Sequence, residues 1–192
     1  MEILLVKRLE SSQSAFLESL ENLLQNTQNM IDMYNADRIF ICPDIDVNAF
    51  IKKGKECNKS FEVILSDLKA KADAKNKQKQ TIKNREFKQA DFSKDYKELL
   101  EQDKKNIEFL VNQWNKFKVD SKMDRFVMNM NKFMDPKVNK SQKLVVFTEC
   151  IATQTALVEK FKSLTEYKVL SITADNRDKL KDVIAANFDA NY

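Results

Sequence analysis

Apolar residues recur along most of this chain at three- and four-residue steps, the spacing of amphipathic helices. After Ser11 and Ser12, either of which can act as a cap, the stripe runs Ala15, Phe16, Leu20, Leu23, Leu24, Ile31 and Tyr34. It predicts a helix of about 24 residues, roughly 36 Å long. Ahead of it, residues 2–9, EILLVKRL, form a short apolar run. Residues 37–46, DRIFICPDID, break the helical period. The residue before Pro43 avoids helical angles, so an extended connection is expected, with Asp46 capping a short helix over 47–53.

Helical spacing returns with Phe61, Ile64, Leu65 and Leu68. It returns again behind Ser93, with Tyr96, Leu99, Leu100, Ile107, Leu110, Val111, Trp114 and Phe117. The two long stripes predict an antiparallel bundle of long helices with Trp114 in its core. FKQADF at 87–92 places Phe87 and Phe92 in a polar setting, where they are expected to pin a loop to the helical core. Met123, Phe126, Val127, Met130 and Phe133 predict a further helix, capped by Asp120 or Ser121, whose methionines read as packing residues.

The pattern changes after residues 135–142, DPKVNKSQ, whose proline and polar run mark a linker and the expected domain boundary. In KLVVFTEC at 143–150, the run Leu144, Val145, Val146, Phe147 reads as a strand buried on both faces, as in a parallel sheet. Ile151, Thr155, Leu157, Val158, Phe161 and Leu164 follow at helical spacing. A second apolar run occupies 167–172, and Leu180, Val183, Ile184 and Phe188 share one face of a last helix. Strand, helix, strand, helix is a β-α-β crossover with one helix more. The expected fold class is mainly α with a small α/β part.

KLVVFTEC, IATQTALVEKF and KVLSITADNRDKLKDVIAANFDANY together resemble the opening of the second RecA-like lobe of bacterial Swi/Snf-type superfamily-two helicases. KRLESS at 7–12 and CPDID at 42–46 resemble the helical segment that such proteins carry between their two lobes. The resemblance implies that residues 1–142 are that inter-lobe segment. It makes 143–192 the first, incomplete part of the second lobe, with the β-α-β-α of a RecA-like parallel sheet. It implies ATP and Mg2+ in the intact protein and no cofactor in this chain. DNA and the missing helicase lobes of the same polypeptide would be the partners.

Family contacts to the nucleic-acid backbone fall at strand ends, here Thr148, Thr153, Thr173, Asn176 and Arg177. Hydroxyl, amide and guanidinium donors suit phosphate oxygens and carry no sequence information. For Thr148 and Thr173 a strand-end or turn hydrogen bond is the structural alternative, and Asp175 reads as a helix cap. Two positions depart from the pattern. Thr173 and Ala174 stand where many members have a glycine, and Lys181 stands where an arginine is usual.

Composition excludes several chemistries. A phosphate-cradling loop needs several glycines, and this chain of 192 residues has one, Gly54, so it holds no P-loop. There is no histidine, hence no Ser-His-Asp or Cys-His arrangement and no ordinary zinc site. Cys42, Cys57 and Cys150 are odd in number, lack CxxC spacing, and read as reduced thiols. Asp44 and Asp46 could serve as metal ligands, and capping is the preferred role of Asp46. No catalytic residue is assigned.

The net charge of +4 is too mild to name a partner, but it is unevenly spread. Between 69 and 88, Lys69, Lys71, Lys75, Lys77, Lys79, Lys83, Arg85 and Lys88 face only Asp73 and Glu86. Such density can neutralise DNA phosphates, with Lys75, Lys77 and Lys79 as the chosen contacts; a solvated helix or loop is the plainer alternative. No run of about 18 apolar residues is present to span a membrane, and no signal-peptide pattern opens the chain, so a cytoplasmic setting is expected. The expected function is a part of an ATP-dependent DNA translocase that is inactive alone. The competing reading is a non-enzymatic helical module for protein interaction or nucleic-acid binding.

Overall fold

A computed structural model of the chain describes residues 2–117 and 119–188, without the side chains of Glu2 and Ile3. The described residues are mainly helical: α1 (Glu2–Ser11), α2 (Gln13–Asn35), α3 (Val47–Glu56), α4 (Phe61–Lys79), α5 (Tyr96–Trp114), α6 (Ser121–Met128), α7 (Met130–Phe133), α8 (Ile151–Leu164) and α9 (Lys181–Phe188). Two short strands, β1 (Ile39–Ile41) and β2 (Arg85–Phe87), pair antiparallel, with Phe40 opposite Glu86. The chain divides into two compact units, Leu20–Asn112, and Met1–Ser19 with Gln113–Tyr192.

In the Leu20–Asn112 unit the core is a cluster of Met33, Phe40, Cys42, Ile45, Ile51, Ile64, Leu65, Leu68 and Ala72. It draws one residue from α2, three from β1 and the turn after it, and the rest from the α3–α4 pair. Asp46 caps its helix as expected, and Ser60 is a cap not foreseen from the sequence. Asp46 accepts from the Ala49 amide at 2.9 Å, and Ser60 begins α4 through the Val63 amide. Three helices end the same way. The residues Asp37, Asn58 and Gln80 take left-handed φ values of 52°, 55° and 49°. The amide after each reaches back to close the helix: Arg38 to Met33, Lys59 to Gly54 and Thr81 to Asn76. Glycine is the usual residue at that position, and a chain with one glycine fills it with Asp, Asn and Gln instead. Gly54 itself lies inside α3, where a side chain would run into Ile64 of α4.

The rings of FKQADF pin the β2 loop as expected. Phe92 stacks on Tyr96 at 4.6 Å between centroids and meets Phe87 and Tyr34 edge-on. Tyr34, late in α2, meets Tyr96 at the start of α5, and Phe16, early in α2, meets Trp114 at the end of α5. The stripe of α5 is covered less than its spacing suggests: Ile107 is buried, while Leu99, Leu110 and Phe117 are exposed.

In the other unit, α1 and α2 join at Ser12, whose hydroxyl accepts from the Ala15 amide at 3.1 Å. The run at 2–9 is thus a helix in its own right. Asp120 serves two helix starts at once, through Oδ1 to the Met123 amide of α6 and Oδ2 to the Gln13 amide of α2. Phe126 of α6 packs between Phe133 and Phe161, and Met123, Met130 and Phe161 are buried. The linker at 135–142 lies within this unit.

The parallel sheet is the expectation that fails. Helix α8 spans the residues predicted for it, but 144–147 and 167–172 on either side carry no strand, and the two-stranded sheet that is present lies in the other unit. Parallel strands need neighbouring strands and cover on both faces, and the two runs are not paired among the described residues. Residues 189–192, the end of the last segment that resembles the family, lie outside the described residues.

Candidate functional site

In the unit of Met1–Ser19 and Gln113–Tyr192, α1 and the N-terminus of α8 face each other across a cavity of about 700 Å3. Lys7, Arg8 and Ser11 come from α1, Lys122 from α6, and Thr148, Cys150 and Thr153 from the start of α8 and the residues before it. The Arg8 guanidinium donates to the Cys150 sulfur. The Thr153 hydroxyl is buried and bonded to the hydroxyls of Ser11 at 2.9 Å and Ser12 at 2.7 Å. Thr148 accepts from the Cys150 amide at 3.3 Å, the turn bond foreseen as its structural alternative.

The second group of predicted contacts forms a turn of its own. The Thr173 amide donates to Asn176 Oδ1 at 2.7 Å, the Asn176 side-chain amide donates to the Ser171 carbonyl, and the Arg177 amide closes on the Thr173 carbonyl at 3.0 Å. Asp175 is exposed within that turn. The Arg177 side chain is 71% exposed, with Asp178 at 3.5 Å. Gln154 of α8 holds the segment by donating to the Ile172 carbonyl at 2.8 Å. Thr148 and Ser171 line one further cavity of about 540 Å3, so the ends of the two apolar runs come together beside α8.

Lys75, Lys77 and Lys79 lie in the other unit, on the last turns of α4. At 100° per residue, Lys71, Lys75 and Lys79 share one face, and Lys77 projects from another. Lys79 pairs with Asp44 and Lys75 reaches Gln78, while Lys77 has no acidic partner among the described residues. Around Asp44 a polar knot forms that sequence reasoning missed. Asn84, buried to 3% exposure, donates from Nδ2 to Asp44 Oδ2 at 3.0 Å and to Asn76 Oδ1 at 2.9 Å, and accepts from the Asp44 amide. The Lys79 ammonium, and then the Asn84 amide, hold the Asp44 carboxyl below its ordinary range. Neither Asp44 nor Asp46 is left free for a metal, and the described residues hold no group of three or more side chains placed to bind one.

Of the thiols, Cys42 is buried, which pushes its titration up; Cys150 is buried and Cys57 exposed. Arg8 and Lys122 were missed because their apposition to α8 joins residues far apart in the chain. Ile82 had a visible signal, a lone apolar residue inside a lysine run. No family model, curated protein or solved structure matches the chain.

Proposed function

We propose that this chain is the inter-lobe helical segment and the opening of the second RecA-like lobe of a Swi/Snf-type DNA translocase, cytoplasmic and inactive toward ATP by itself. The observation that carries the reading is the state of the two apolar runs flanking α8. Val145, Val146 and Phe147 are 56%, 46% and 92% exposed, and Tyr167, Leu170 and Ile172 are each more than a third exposed. Aliphatic and aromatic runs left this open, on either side of a well-formed helix, suit strands of a parallel sheet whose neighbours come from other residues of the polypeptide. A second fact supports it. The words that resemble the family, KRLESS and FTEC with the start of α8, meet in one cavity across 142 residues of chain.

In the intact motor the missing lobes hold ATP and Mg2+, and lobe closure on ATP binding drives movement along DNA. This chain's share is grip. Thr148, Thr173, Asn176 and Arg177 stand at the ends of the two runs and offer donors to backbone phosphates, with the Arg177 side chain the most open of them. Thr153 anchors the base of α8 through Ser11 and Ser12.

The test is DNA-stimulated ATP turnover by a polypeptide extended with the coding sequence that flanks this segment, beside the isolated chain. Turnover is expected in the extended protein, reduced by Arg177→Ala, and absent from the isolated chain. Amides of 144–147 and 167–172 should also exchange hydrogen more slowly in the extended protein. Flanks without a glycine-rich phosphate loop and an arginine-rich word, or equal exchange in both proteins, would end the reading.

A further inference from the structure

The loop after α4 sets one apolar side chain among cations and holds it there. Ile82 is 81% exposed and shares an open depression of about 460 Å3 with Lys77 and Lys83. Neither lysine forms a salt bridge among the described residues, and Lys83 lies close enough to Asp44 to help hold its carboxyl low. Arg85, three residues on, has its guanidinium over the Phe87 ring at 5.0 Å and is likewise exposed.

A slack loop would fold its isoleucine away from water, but this one is braced on both sides of it. Before Ile82, the Thr81 amide closes α4 on the Asn76 carbonyl at 2.9 Å. After it, Asn84 is clamped between α4 and the turn following β1. Its amide donates to Asn76 Oδ1 at 3.1 Å, its carbonyl accepts from Asn76 Nδ2 at 2.8 Å, and its side chain bonds Asp44. Lys79 binds the far side of Asp44 and completes the brace.

We propose that this tip is a wedge for duplex DNA. Lys77 and Lys83 take backbone phosphates on the two sides of the minor groove, and Ile82 presses between base pairs and partly unstacks them. Proteins that kink DNA combine an apolar wedge with flanking cations in this way, the cations supplying affinity and the wedge the deformation. A single isoleucine is too small an apolar face to anchor a lipid surface. The proposal rests on reading the chain as part of a DNA motor, and it gives the helical segment a DNA contact of its own.

The test uses the full chain with a short duplex carrying 2-aminopurine at a flexible pyrimidine–purine step. Anisotropy reports binding at low and near-physiological salt, and 2-aminopurine emission reports unstacking. Wild type should bind with a steep salt dependence and brighten the probe. Lys77→Gln with Lys83→Gln should weaken binding and make the log–log salt slope shallower by about 2. Ile82→Ala should keep the salt slope and lose the brightening, and Ile82→Phe should restore it. Because all three positions are exposed, circular dichroism of the variants should match wild type.

Brightening retained in Ile82→Ala, no duplex binding at low salt, or binding to anionic vesicles in place of the duplex would each overturn the wedge. An Ile82→Ala chain that still brightens the probe, beside an extended protein that hydrolyses ATP on DNA, removes the wedge and leaves the motor. Brightening that depends on Ile82, beside an extended protein without turnover, does the reverse.

Discussion

Replacing Gly54 with alanine sets two opposing effects against each other inside α3. Helix propensity favours alanine by about 0.8–1 kcal/mol. Against that, a Cβ at position 54 would lie 2.6 Å from Cγ1 and 2.7 Å from Cδ1 of Ile64. Carbon atoms prefer about 3.5–4 Å, so Ile64 must retreat by roughly 1 Å. It has little room to do so. Ile64 is 1% exposed, packed in the same cluster as Ile51, Leu65 and Leu68, and a β-branched residue in a helix keeps essentially one χ1 rotamer. Overpacking of this kind costs about 1–3 kcal/mol, so Gly54→Ala should destabilise by up to about 2 kcal/mol net.

Ile64→Ala alone opens a cavity and should cost about 2–5 kcal/mol. In the double variant the new methyl enters the space Ile64 vacated, so the combined loss should fall short of the sum by about 1–2 kcal/mol. Urea unfolding followed by helical circular dichroism on the four proteins of the cycle measures both quantities. A Gly54→Ala protein more stable than wild type, or a cycle that adds within error, would refute the claim that the glycine is there for the close approach of α3 and α4.

Three further outcomes follow from the caps and the polar knot. Asp120→Ala removes the acceptor of two helix starts and should cost about 1–2 kcal/mol in thermal unfolding followed by Trp114 fluorescence, with Asp120→Asn recovering part; an unshifted transition would remove the shared cap from the account. Gln80→Gly relieves a left-handed non-glycine residue and should raise stability by about 0.5–1 kcal/mol, so a lower melting temperature would show that the glutamine side chain matters there. Asp44 has its folded-state carboxyl held low by Lys79 and Asn84, so its contribution is present above the unfolded carboxylate range and is lost as pH falls through the lower folded value. Unfolding free energy titrated from neutral to acid should therefore drop less in Asp44→Asn than in wild type, and parallel curves would contradict the assignment.

The candidate site was legible in part. Thr148, Thr173, Asn176 and Arg177 follow the two apolar runs in the chain; Thr173 and Asn176 bond each other within one turn, while Thr148 lines the cavity beside α8. Thr153 was named as well, but its hydroxyl lies under Ser11 and Ser12, and no local pattern announces a partner that distant. Of the lysine run, sequence supplied the density. The pairing of Lys79 with Asp44, the freedom of Lys77 and the outward Ile82 depend on where α4 lies against the turn after β1.

What the sequence determined by itself is most of the longer helices and several of their caps. Ser12, Asp46, Ser60 and Asp120 each bond an amide three residues on, and apolar spacing over α2, α5 and α8 is read within a few turns of chain, so both signals act locally. Only the tertiary structure decided where strands form. Ile39–Ile41 pairs with Arg85–Phe87 because the packing of α2, α3 and α4 brings those edges together, while the more strand-like runs at 144–147 and 167–172 find no partner among the described residues. A helix satisfies its backbone hydrogen bonds from within, whereas a strand borrows them from another part of the chain.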